Sequence, residues 1–411
     1  MPAYDQNISS EFLTELKAHV GYLDQSHEEM LSLVIELCDI NSGTFNLDGI
    51  DKVASVLRRE FDCFGEPIEY FSIDGLKDVD DSGTRVEKPL GKMLRIVKRP
   101  DVRPRVLLCI HMDTVYGSEN SFQKCTDMGS GKINGPGVAD AKGGLVVMLY
   151  ALKALEASPL ANQIGWEVLI NPDEELGSPG SADYLMERAA LADVGLLFEP
   201  KLPDGALVSA RKGVGNFAFV VRGRSAHSGR EFLKGRNAVV KCCELMQRVH
   251  SLNTNTQITY NVGRLNGGAA LNVVPDTAVG RVNVRVGSAA DMELVQKQFD
   301  SLVHEFDGHD GFEVELHGDF TSHPKELTPK LSKLKDRVQQ CAQELGINVA
   351  WKDTGGASDG NKFAAAGLTN IDTLGPVGGE IHSSNEYLVA ESLTDSAKLA
   401  AMVMISLAGK S

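Results

Sequence analysis

The sequence predicts an α/β protein: a doubly wound mixed sheet flanked by helices and interrupted by a smaller α+β unit. Three observations carry this expectation. Short apolar runs, RVLLCI (105–110), WEVLI (166–170) and VGLLF (194–198), alternate with helical segments, as buried strands joined by crossover helices require. From Val214 the pattern changes to longer, alternating strands, as in a sheet with one covered face. At 411 residues the chain also exceeds the size at which one hydrophobic core keeps growing, so two units are expected.

Taken in order, residues 9 to 60 hold helical runs such as EEMLSLVIELC, where Met30, Leu31, Val34, Ile35 and Leu37 share a face that packs on a sheet. RVLLCI is a buried strand, and AKGGLVVMLYALKALEA (141–157) is an apolar helix after it. WEVLI, a helix around SADYLMERAA (181–190) and VGLLF repeat the strand–helix–strand pattern. The next segment reads strand (GNFAFVVRGR), helix (237–251), strands (ITYNVGRLNGG and TAVGRVNVRVG), helix (FDSLVHEFD) and strand (FEVELHGDF), closing near residue 323. Helices at 329–344 and 393–407, with strands near 348 and 370, resume the first pattern. The expected division is therefore a discontinuous domain of residues 1–213 and 324–411, with residues 214–323 inserted.

A net charge of −15 excludes nucleic-acid backbones and anionic membranes as partners, because like charges repel at long range. The same acidity leaves room for bound cations. Seven cysteines, at positions 38, 63, 109, 125, 242, 243 and 341, form no CxxC spacing, so they read as reduced thiols rather than a zinc ribbon. MPAYDQNISSEFLTELKAHV has no basic stretch followed by an apolar run, and no segment approaches the ~18 continuous apolar residues of a membrane span. The expectation is a cytoplasmic protein.

HMDTV places His111 just past a buried strand and Asp113 two residues on, on the same face. That suits a metal-ligating imidazole beside a carboxylate that fixes its tautomer, although an H-x-D also occurs in ordinary loops. GPGVADAKGG sets Asp140 just before a long helix, where an N-cap role would also explain it. The P-loop reading fails, because GSGKI has no Ser or Thr after Lys132. In NPDEELG, Glu174 and Glu175 follow WEVLI, and Glu199 follows VGLLF; at a strand end, neighbouring acids point different ways and can do different jobs. Burying so many acids near one crevice is costly without cations. Oxygen and imidazole donors without thiolate suit zinc, cobalt or manganese in a hydrolytic site. His382, in LGPVGGEIHSSNEY, supplies a second imidazole at a glycine-rich strand exit.

HMDTV, GPGVADAKGG, NPDEELGS, LLFEP and IHSSNEY, in this order and spacing, resemble the co-catalytic dizinc peptidase and deacylase family. That family includes acetylornithine deacetylases, succinyl-diaminopimelate desuccinylases, tripeptidases and folate-cleaving glutamate carboxypeptidases, the last being nearest in likeness. The resemblance spans nearly the whole chain. It implies two zinc ions, or cobalt or manganese in their place, with Asp140 bridging them. His111 and Glu199 would complete one ion's ligands, and Glu175 and His382 the other's. Glu174 matches the general base that takes a proton from the attacking water, Asp113 the residue that orients His111, and Asp140–Ala141 a cis peptide bond found in the family.

In RGRSAHSGREFLKGRNAV, His227 matches a histidine that reaches the neighbouring subunit's site. The inserted domain is accordingly expected to act as a two-layer lid and to form a homodimer. Asn272 and Arg285 fall where relatives hold a substrate carboxylate and its neighbouring carbonyl; Arg285 also fits an exposed strand arginine. Asp359, in GGASDGNKF, matches a supporting loop, although Gly and Ser there also suit a plain turn. The function implied is hydrolysis of an amide bond in a small peptide or N-acyl amino acid bearing a free carboxylate. Carboxypeptidase action leads, with N-acyl amino acid deacylation or aminotripeptidase action as alternatives, and a catalytically silent metal-binding relative as the alternative of another class.

Overall fold

The computed structural model describes residues 8–254 and 257–408. Residues 1–7, at the start of the stretch read for a leader, lie outside the described residues. No described helix is long and apolar enough to cross a membrane.

The main sheet has six strands, in the order Ile68–Ser72, Lys92–Lys98, Gly165–Asn171, Arg105–His111, Val194–Leu197 and Asn370–Ile371. The last four run parallel, while Lys92–Lys98 is antiparallel to both its neighbours. Every residue of Arg105–His111 and Gly165–Asn171 is buried, because helices cover both faces. Period-two alternation still sorts the side chains. Val106, Leu108, Ile110, Val168 and Ile170 join the larger core with the helices Gly143–Glu156 and Ser392–Ser406, whereas Leu107, Cys109 and Leu169 face Leu185, Ala189 and Phe363 on the other side. Gly143–Glu156 is buried along nearly all its length, which is why its sequence is apolar all round rather than on one stripe.

The chain order makes Arg105–His111 the turning point of the sheet. The following helix leads to the strand on one side of it, Gly165–Asn171. The helix Ala182–Ala189, on the opposite face, leads to the strand on its other side, Val194–Leu197. Such a reversal opens a crevice beyond the strands' carboxyl ends.

Residues 213–322 form an antiparallel sheet in the order Thr259–Gly267, Thr277–Val286, Gly213–Arg222 and Glu313–Ser322. Phe217, Phe219 and Val221 face the helices Ala238–His250 and Ala289–Phe306 in a separate core around Phe299. FDSLVHEFD is only the end of the second helix, whose start is marked by a capping box of Ser288 and Asp291. The strand expected near 348 lies at Trp351–Thr354 and pairs with Leu207–Arg211. The hairpin Leu76–Val79/Arg85–Lys88 was not read from the sequence. It reaches over the sheet's opposite face, where Val79 packs with Ala218, Val220 and Val279.

Candidate metal centre

Three neighbouring strands deliver the acids and imidazole of the crevice. His111 is the last residue of its strand, Glu199 follows Val194–Leu197, and Glu174 and Glu175 follow Gly165–Asn171. The two adjacent glutamates do not sit on extended backbone, as a strand end would place them. They open a one-turn 3-10 helix, Glu174–Leu176, closed by Gly177 at φ 86°. Successive side chains diverge by about 120° in such a turn, so the two carboxylates still point apart. Asp140 does not cap the next helix, contrary to the N-cap alternative: that helix begins at Gly143 with no side-chain cap, and Asp140 has non-helical angles of φ −115° and ψ 88°. The Asp140–Ala141 bond is cis.

Asp140 stands between the two histidines. His111 Nε2 lies 3.1 Å from its Oδ1, and His382 Nε2 lies 3.4 Å from its Oδ2. Glu199 Oε2 is 3.8 Å from His111 Nε2, and Glu175 Oε2 is 3.2 Å from His382 Nε2. Two groups thus form, His111–Asp140–Glu199 and Asp140–Glu175–His382, each with donor atoms within 4.8 Å of one another. Neighbouring ligands of a tetrahedral ion with bonds of ~2.0–2.1 Å are about 3.3 Å apart, which these spacings approach. Glu174 belongs to neither group yet lines the same cleft.

The charge balance also calls for cations. Burial pushes Glu199 up to about 8 and Glu175 up to about 7, and lifts Glu174 well above the ordinary carboxyl range. Among the described residues, Glu175 Oε1 is buried without a hydrogen-bond partner. The ion-pair partners of Asp140, Glu175 and Glu199 are the two histidines rather than a lysine or arginine. Burial alone would lower His111, but its contacts with Asp113 and Asp140 raise it; contacts with Asp140 and Glu175 bring His382 to about 10. Divalent cations would ionise these acids and displace the imidazole protons. The donor set therefore fits two such ions.

Asp113 ties the site together. His111 Nδ1 lies 3.0 Å from its backbone oxygen and 3.2 Å from its carboxylate, an N–H donor position that would keep Nε2 as the lone pair offered to a cation. The same carboxylate accepts from Thr44 Oγ1 at 2.7 Å and from the amides of Glu174 and Glu175 at 3.2 and 3.3 Å. Asp359, in the first turn of the helix Asp359–Ala365, accepts from Asn171 at 2.8 Å and Ser178 at 2.5 Å, bracing the chain around the glutamate pair.

Glu386, which the sequence reading passed over, accepts from the amides of Gly137, Ala139 and Asp140 at 3.0, 2.9 and 3.0 Å and from the Tyr116 hydroxyl at 2.8 Å. Its signal was its place four residues after His382 in IHSSNEY. Pairing of Tyr387–Val389 with Lys132–Asn134 joins those two glycine-rich segments. His382 itself has φ 63°, a left-handed conformation of the kind that clusters at functional sites.

The cleft, about 560 Å³, is also lined by Asn216, Asn283 and Arg285 of the inserted sheet. His227 and Asn272 are not brought to it. They lie instead at the short pairing of Ala226–His227 with Val273–Val274, where His227 is opposite Val273 and Ser228 N donates to Asn272 O at 3.0 Å.

Residues 107–406 match the model of peptidase family M20/M25/M40. The chain belongs to that family. Over 382 residues this M20 protein is 28% identical to carboxypeptidase G2 of Pseudomonas sp. strain RS-16, covering 91% of this chain and 88% of that one. Its fold matches a tripeptidase of Staphylococcus aureus at a TM-score of 0.71 and 22% identity, covering 93% of this chain and 98% of the other. It also matches the Bacillus subtilis YXEP protein, a dinuclear metal binding peptidase from the M20 family, at a TM-score of 0.61 and 15% identity, over 93% and 98% of the two chains. The M20 protein is thus a hydrolase of a metallopeptidase family, with two candidate groups of metal ligands.

Proposed function

We propose that this protein releases the C-terminal residue of a small peptide or N-acylated amino acid by hydrolysing its amide bond. In this reading two zinc ions are held, one by His111, Asp140 and Glu199 and the other by Asp140, Glu175 and His382. The carrying observation is the pair of ligand groups that share Asp140, with Glu174 beside both and part of neither. When bound, the cations supply Lewis acidity at the scissile carbonyl and lower the pKa of water.

Glu174 then takes the proton of the attacking water and passes it to the leaving amine. Asp113 holds His111 in one tautomer and fixes the turn from which Glu174 acts. Arg285 donates to Asn283 Oδ1 at 3.1 Å and to Gly355 O at 3.2 Å. Among the described residues it pairs with no carboxylate, which suits a substrate carboxylate on this wall of the cleft.

His227 and Asn272, away from their own chain's cleft, are assigned to the partner's site in a homodimer formed through the inserted unit. Gly229 N donates to His227 Nδ1 at 3.1 Å, which leaves Nε2–H as the donor for a developing oxyanion. The likeness to carboxypeptidase G2 favours C-terminal release. The cysteines, all of them unpaired, fit the reducing interior of a cell.

The deciding experiment is Glu174→Gln. Zinc content should hold while turnover of a responsive peptide or N-acyl amino acid falls by ~10²–10⁴-fold, the range expected for a general base. An unchanged rate sinks the assignment, and a wild-type protein inert towards a broad panel of such substrates after loading with zinc, cobalt or manganese sinks the hydrolase reading.

A further inference from the structure

A second and larger cavity, about 1020 Å³, opens between the hairpin Leu76–Val79/Arg85–Lys88 and the inserted sheet. It adjoins the cleft: Leu176, Asn216, Asn283 and Thr321 line both. Leu176 ends the turn that carries Glu174 and Glu175, so the two cavities meet beside the reacting groups. Arg285, Asn283 and Arg281 alternate along one strand and share a face, with Asn283 opposite Asn216 and Arg281 opposite Ala218. The four-residue step from Arg285 to Arg281 spans roughly 13 Å at the strand rise. That face leads from the proposed carboxylate site in the cleft to the chamber.

Much of the chamber's lining is apolar. Leu76, Val79 and Val86 of the hairpin, Leu176 and Pro179 of the glutamate loop, and Ala218 of the sheet line it. Of the three arginines in its wall, Arg264 and Arg281 are already paired by the hairpin. Arg264 pairs with Asp81, while Arg281 lies 3.3 Å from Asp78 and 3.5 Å from Asp81 and donates to Val79 O. These pairs hold the hairpin against the sheet, together with Arg222 Nη2, which donates to Gly83 O at 2.7 Å. With these two guanidiniums engaged, and with Lys77, Arg85, Glu87 and Asp319 exposed to solvent, the buried part of the chamber offers mainly apolar surface.

Building on the hydrolase reading above, we propose that this chamber is the subsite for the part of the substrate remote from the scissile bond. It takes an extended, uncharged, apolar acyl group. The hairpin, by forming one wall, sets how long a substrate the enzyme prefers.

The test is calorimetric titration of zinc-loaded Glu174→Gln protein with N-acetyl and N-octanoyl derivatives of the same amino acid. The octanoyl ligand should bind at least ~10-fold more tightly, since each buried methylene adds affinity. Val86→Trp or Leu76→Trp, each introduced separately to fill the chamber, should remove most of that gain. Two variants guard against one that fails to fold, and the thermal midpoint of each identifies such a failure. Equal affinity for the two ligands overturns the proposal, as does a gain that survives both substitutions. The titration does not depend on turnover. A wild-type protein that hydrolyses none of these amides would therefore sink the hydrolase reading while the chamber is still judged by its own ligands.

Discussion

Two buried carboxylates, Glu199 and Asp372, are joined by a backbone hydrogen bond of 3.1 Å from Glu199 N to Asp372 O, yet their charges are managed in opposite ways. Arg211 Nε and Lys325 Nζ each lie 2.8 Å from Asp372. Burial would raise Asp372, but these two cations outweigh it and bring the carboxyl down to about 2. Glu199 has the His111 imidazole as its nearest positive group and feels Arg211, whose guanidinium is bonded to Asp372, only at longer range, so burial wins and it rises to about 8. An acid enclosed by the chain's own arginine and lysine is complete and serves the fold. Acids gathered around histidines are left with a deficit that, in the proposed reading, an external cation makes good.

The largest effect should come from the residue the two ligand groups share. Asp140→Ala removes a ligand from both at once, so metal analysis should find both ions depleted and turnover abolished. Retention of both ions would show that Glu175 and Glu199 suffice, and the shared-carboxylate geometry would lose its meaning. On the other side of the comparison, Asp372→Asn leaves Arg211 and Lys325 without their counter-ion. A loss of about 3–5 kcal/mol in urea unfolding is expected, the range for breaking a buried ion pair, with metal content kept. The pH dependence follows from the depressed pKa. The contribution of Asp372 is present above the ordinary carboxyl value near ~3.9 and is lost as pH falls through about 2. If the variant instead lost metal while keeping its stability, Asp372 would belong with the site.

Much of this was legible because the chemistry repeats the fold. Each of three successive apolar runs ends at His111, Glu174–Glu175 or Glu199, and strand ends at a turning point of a sheet meet in space whatever their separation in sequence. Glu386 was legible only through its place four residues after His382, because a carboxylate whose work is to accept three amide protons otherwise looks in sequence like any polar loop residue. Arg211, Lys325 and Asp372 lie far apart in the chain and share no motif, so their meeting is a product of packing alone. The hairpin over the inserted sheet escaped for a related reason. Its strands are short and half exposed, with too few apolar positions to register a period of two, and its docking rests on arginine pairs contributed from about two hundred residues later.

The smallest effect, and the one that probes the deficit directly, is the pH dependence of stability after chelation. A group whose pKa is raised on folding contributes stability that is full below its unfolded value and is lost as pH rises through its folded value. Glu175 at about 7 and Glu199 at about 8 are raised in this way, as is Glu174, against an unfolded value of ~4.3. His382 at about 10 and His111 are raised from ~6.5 and push in the same direction over the neutral range. Asp140 is lowered by the two histidines and opposes them, but only in acid, below its ordinary range. The thermal midpoint of chelated protein should therefore fall by a few degrees between about pH 5 and pH 8, the window set by these shifts. Zinc-loaded protein should stay nearly flat, because its ligands hold no exchangeable protons there, so the gap between the two forms should widen with pH. A chelated protein equally stable at both ends would mean that the chain satisfies these acids by itself, and Glu199 would then be no different in kind from Asp372.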